Sequence, residues 1–130
     1  MKKLGIIGRI LFALPFTIMG LNHFLMTDIF SGMMSTFIPG GGFTILLTGA
    51  MLIIASVSIM LNKNIKIACY WLAGMLFLFI ATIHIPNLVT LKVQSADWNM
   101  ALINLLKDTA LLGGAITIAL YFGSEKEIKK

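Results

Sequence analysis

The sequence predicts an all-α, integral membrane four-helix bundle, with a short interfacial helix between the first two spans. Three observations carry that reading. The chain is 58% hydrophobic and only 12% charged, with a mean hydropathy of +0.97, which is too apolar for a soluble domain with an adequately polar surface. Its 130 residues accommodate four apolar runs of roughly 20 residues, the length needed to cross the hydrocarbon core. The basic residues gather at the chain ends and at one connection instead of forming a stripe with interleaved aromatics, so they read as topology determinants and argue against nucleic acid as a partner. The whole chain, 1–130, is read as a single transmembrane domain whose first partner is the lipid bilayer.

The first helix is expected over about Ile6–Leu25. Met1-Lys2-Lys3 before an apolar run resembles a secretory signal, but the run continues past Met19 without an A-x-A-like site, so it is read as a retained span. Arg9 reads as an interfacial anchor that snorkels outward, and Pro15 removes one backbone hydrogen bond, with a kink expected there. Asn22 and His23 fall at the far end. The connection 26–42 carries Phe30, Met33, Met34 and Phe37 at spacings that fit a short helix lying in the interface, with Thr27 or Asp28 as its cap. Pro39 and Gly40-Gly41-Gly42 end it and turn the chain into the second span, about Phe43–Leu61. That span has no charge, and small residues such as Gly49 and Ala55 suit close packing.

Asn62-Lys63-Asn64-Ile65-Lys66 is a basic turn, and the third span runs from about Ile67 to Ile85, stopping at Pro86 because proline restricts the residue before it. Leu88–Asp97 connects to the fourth span, about Met100–Phe122, with Trp98 as an interfacial anchor and Gly113, Gly114 and Ala115 as packing residues. The tail from Gly123 is expected to be solvated and frayed. With four crossings, Lys2, Lys3, Arg9, Lys63, Lys66, Lys126, Lys129 and Lys130 share one side, leaving only Lys92 on the other and Lys107 inside a span. The excess of positive charge places both termini in the cytoplasm and the protein in the cytoplasmic membrane.

Within the fourth span, Asn104, Lys107 and Asp108 interrupt an otherwise apolar run. A charge at membrane depth costs several kcal/mol, so such residues face a bundle interior, a cavity or a partner. Asn104 with Lys107 and Asp108 has helical i, i+3, i+4 spacing. Lys107 and Asp108 are about 100° apart and are not expected to partner each other. Lys107 either snorkels or serves the site, whereas Asp108 is expected to face the interior with His23, His84, Asn22 or Asn104 as partner. Asp108 is the candidate catalytic proton carrier, and Asn22, His23, His84, Asn104 and Lys107 are the candidate ligand-binding residues. These residues share one half of the bundle by depth, while their rotation about each helix stays open. Taken singly, each histidine also reads as an interfacial residue bonded to a loop.

Arg9, Gly20-Leu21-Asn22-His23-Phe24, Ile83-His84-Ile85-Pro86-Asn87 and Lys107-Asp108-Thr109-Ala110-Leu111-Leu112-Gly113-Gly114 resemble the DoxX-like family of small four-helix bacterial membrane proteins over nearly the whole chain. The resemblance implies a cytoplasmic-membrane bundle, with links in the family to quinone-coupled sulfur oxidation and redox-stress complexes. It favours a quinone- or small-ligand-associated redox accessory subunit, with His23 or His84 bonding the ligand and Asp108 relaying protons. Cys69 is the only cysteine and no flavin or iron–sulfur motif is present, so electrons must come through a redox partner protein. His23 and His84 as axial haem ligands form a weaker variant. The competing readings are a lipid-binding or assembly protein of a larger membrane complex and, ranked lower, a proton-coupled transporter. No metal site is read from the sequence.

Overall fold

The computed structural model describes residues 2–34 and 38–127; Phe37, Lys129 and Lys130 lie outside them. The described residues form an all-helical bundle: α1 Lys2–Leu25, α2 Thr27–Met33, α3 Gly41–Met60, α4 Ile65–Phe79, a π-helical segment Ile80–His84, α5 Ile85–Thr90 and α6 Ala96–Glu127. Four helical stretches are long and apolar enough to cross a membrane, with the third made of α4, the π segment and α5 in series. Many large apolar side chains face outward, among them Ile7, Leu11, Ile54, Phe77, Val89 and Leu120, an arrangement suited to lipid and unsuited to water.

α1 packs along α3 and α4 along α6, with α3 and α4 joining the two pairs. Close packing of α1 on α3 depends on Gly20 facing Gly49. A Cβ on Gly20 would stand 2.8 Å from the Gly49 carbonyl oxygen, and one on Gly49 would stand 2.9 Å from that of Gly20. Small residues permit this backbone approach. Thr17 and Ser56 exchange a hydroxyl hydrogen bond of 2.8 Å across the same seam. The core behind it contains Leu52, Ile59, Leu72, Leu76 and Cys69. Gly5 lies against Phe122, so the terminal ends of α1 and α6 meet at one end of the bundle.

The small residues divide differently from expectation. Gly49, Ala55 and Ala115 are buried, and a Cβ on Gly114 would come within 2.9 Å of the Phe12 ring. Gly113 faces open space, being about 100° round the helix from Gly114.

The helix α2 occupies the expected interfacial segment, but neither Thr27 nor Asp28 caps it. Met26 stands at the cap position, and the Thr27 hydroxyl donates back to the His23 carbonyl at 2.9 Å. At the start of α3, Gly40 and Gly41 have φ of 97° and 50°, conformations that favour glycine. Asn62 and Asn64 adopt positive φ in the turn before α4, as asparagine tolerates.

Three boundaries are corrected. The third span does not stop before Pro86. The Ile85 amide donates to the Ile80 carbonyl, an i→i−5 bond, and this wider turn lets the helix continue through the proline to Thr90. α6 begins earlier, with the Ser95 hydroxyl accepting the Trp98 amide at 3.1 Å as a helix cap. It also extends beyond Gly123 to Glu127, so the first residues of the tail are helical. The Trp98 indole donates to the Leu88 carbonyl at 3.2 Å and ties the shortened connection to α6.

Arg9 is not a snorkelling anchor. It is only 7% exposed, donates to the Met60 carbonyl at the end of α3 at 3.4 Å, and lies 4.9 Å from the Phe122 ring centroid. The cation thus meets the carbonyl-rich end of one helix and the π face of another, which offsets part of its desolvation.

Candidate functional site

A cavity of about 680 Å³ opens between α1, α3, the third span and α6, within the range typical of small-molecule sites. Its wall is mainly apolar and includes Phe16, Met19, Leu52 and Leu76. His23, His84, Asn104, Lys107 and Asp108 also line it, so five of the six candidate residues share one space. Asn22 does not line it; it is half-buried, and its carbonyl accepts the Met26 amide at 2.8 Å.

The polar end is built on Asp108 and His84. Asp108 is 7% exposed, and its Oδ2 lies 2.8 Å from His84 Nε2. The π segment sets this meeting. In an unbroken α-helix His84 would stand about 80° round from Leu76, which faces the core; a single wide turn sets later residues back by about one residue's rotation, roughly 100°. That brings the imidazole close to the core-facing line. Asp108 lies about 18 Å along α6 from Ala96, and the earlier start of the helix puts it nearer mid-span than the sequence boundary implies.

Lys107 corrects a second expectation. Although its Cα faces away from that of Asp108, its Nζ reaches 3.6 Å from Asp108 Oδ1 and donates to Asn104 Oδ1 at 3.3 Å. Four methylenes are long enough to bend the ammonium around the helix while its stem remains exposed.

His23 is 8% exposed, stacks on Phe30 with ring centroids 4.1 Å apart, and has Nδ1 2.8 Å from the Met19 carbonyl oxygen. A carbonyl only accepts, so Nδ1 carries the hydrogen and Nε2 of the neutral ring is an acceptor. His23 therefore joins the cavity wall without contacting Asp108 through a hydrogen bond. An axial haem pair is a poor fit: His84 Nε2 is committed to Asp108, and the His23 ring is held flat against Phe30. The cavity wall combines many apolar side chains with a His–Asp pair and a second imidazole.

Met19 and Phe30, which fix His23, are not among the site residues expected from the sequence, where Phe30 stands only in the apolar set of the short helix. The i, i+4 spacing of Met19 and His23 is the signal that could have linked them, whereas nothing local places Phe30 on the imidazole. No family model matches the chain, and neither a curated protein nor a solved structure matches it.

Proposed function

We propose that this is a DoxX-like, multi-pass protein of the cytoplasmic membrane that binds a quinone or similarly amphipathic molecule in the large cavity and serves as an accessory to a redox partner. The observation that carries the reading is a largely buried His84–Asp108 hydrogen bond, with Asp108 7% exposed, in an otherwise mainly apolar cavity. Burying a carboxylate without partners is costly, so its retention there with an imidazole and an ammonium calls for a purpose beyond packing. When bound, a quinone supplies coupled electron and proton exchange. The chain's contribution is to hold the ring among apolar side chains, orient an oxygen toward His84, and take or return a proton at the His84–Asp108 pair. Electrons pass to or from the partner. The distribution of Lys and Arg supports cytoplasmic termini.

Purification from native membranes, followed by organic extraction and mass spectrometry, tests the reading. Stoichiometric quinone that disappears in Asp108→Leu supports it. Recovery of lipid alone, unchanged by that substitution, favours the binding or assembly role instead.

A further inference from the structure

His84 stands in the wall of two cavities. The second, about 170 Å³, is bounded by Ile83, His84, Asn87, Asp97, Ala101 and Asn104 among others, and so shares His84 and Asn104 with the first. Its character differs. Asp97 is exposed in the first turn of α6, which brings this cavity to the surface at the end of the bundle opposite the chain termini. Asp97, Ala101, Asn104 and Asp108 recur at spacings of four, three and four residues, forming one face of α6 that leads from that surface to the buried carboxylate. Ala101 is only 6% exposed, and its methyl group leaves open the space that a larger side chain would fill.

A water occupies about 30 Å³ in the liquid and is retained where two to four polar groups can bond it. The second cavity has several times that volume, and two asparagines, one carboxylate and one imidazole stand in its wall among five apolar residues. The wall of the large cavity is mainly apolar and suits an apolar occupant.

We propose that the second cavity is a hydrated proton route between His84 and the face opposite the chain termini, with Asp97 at its mouth and Asn87 and Asn104 along its wall. An imidazole takes a proton at one ring nitrogen and releases one from the other. A hydroxyl in the large cavity gives its proton to the Asp108 carboxyl, the carboxyl passes its Oδ2 proton to His84 Nε2, and His84 releases its Nδ1 proton to water in the second cavity and onward past Asp97. Lys107, beside Asp108, lines only the large cavity, and the Asp97 carboxylate in the wall of the second attracts the proton outward. The route's use in function rests on the ligand reading above; its hydration does not.

The chain has only two histidines, so ring signals from 15N-histidine-labelled protein in lipid nanodiscs are assigned with one His23→Gln variant. Exchange of the ring N–H protons with water is measured by NMR. In the unsubstituted protein the His84 proton exchanges readily, and Ala101→Leu slows it roughly tenfold or more while leaving His23 unchanged. A His84 proton protected in the unsubstituted protein, or an exchange rate indifferent to Ala101→Leu, overturns the proposal. Should Ala101→Leu fail to fold, Ala101→Cys in a Cys69→Ser background is treated with a charged thiol reagent. Labelling from the Asp97 face supports the route, and no labelling overturns it. Binding of decylubiquinone is measured in parallel and is unaffected by Ala101→Leu; its absence from every variant removes the ligand reading while leaving the exchange result to decide the route.

Discussion

His84 Nε2 and Asp108 Oδ2 lie 2.8 Å apart across 24 positions of sequence, joining the third span to α6 inside the bundle. Asp108→Leu removes the partner of Nε2 and strands a largely buried imidazole, at a cost of about 1–3 kcal/mol. Asp108→Asn keeps a hydrogen-bonding group for Nε2 and costs less, but it cannot carry a proton. Unfolding in detergent should rank the wild type above Asp108→Asn and Asp108→Asn above Asp108→Leu. A double-mutant cycle with His84→Ala should show that the two losses are not additive.

The Gly20–Gly49 contact gives a second prediction. Leucine at either position meets backbone across the seam, so Gly20→Leu and Gly49→Leu should each destabilise by at least the 1–3 kcal/mol typical of overpacking. Gly114→Leu should destabilise too, because Phe12 must move, whereas Gly113→Leu should be close to neutral. Equal melting temperatures for the Gly113 and Gly114 variants would show that α6 is rotated from this arrangement.

Arg9 and Phe122 should be energetically coupled. The guanidinium lies 4.9 Å from the ring centroid in a largely desolvated setting, where such a contact is worth about 0.5–2 kcal/mol. A cycle of Arg9→Met and Phe122→Leu measures it directly. Coupling within experimental error of zero would show that the Phe122 ring contributes nothing to holding this cation.

Reporter fusions test the orientation. A fusion at Lys130 should report the cytoplasm, and one inserted after Gln94, in the connection between α5 and α6, should report the opposite side. Both on the same side would mean that α6 does not cross.

Hydropathy and spacing made the four long apolar helices, the short helix after the first and the burial of Asp108 legible, because each follows from the pattern of apolar and polar side chains along the chain. Rotation about a helix axis was not legible, and most corrections trace to it. Gly113 and Gly114 are equivalent by composition but face different surroundings. Arg9 satisfies the pattern of a snorkelling residue until Phe122 and Met60, far along the chain, are brought to it. Pro86 signals a stop in an α-helix, and nothing local announces the π turn that both accommodates it and redirects His84. The stripe Asp97, Ala101, Asn104 and Asp108 was readable from spacing alone, had α6 been started at Ala96 instead of Met100.

The most direct test of the ligand reading is photoaffinity labelling with an azido-quinone in native membranes, followed by peptide mapping. The account predicts adducts within Met19–His23 of α1 or Asn104–Asp108 of α6, competed by decylubiquinone and lost in Asp108→Leu. Labelling confined to outward-facing segments, or adducts that neither competitor nor substitution diminishes, would contradict it.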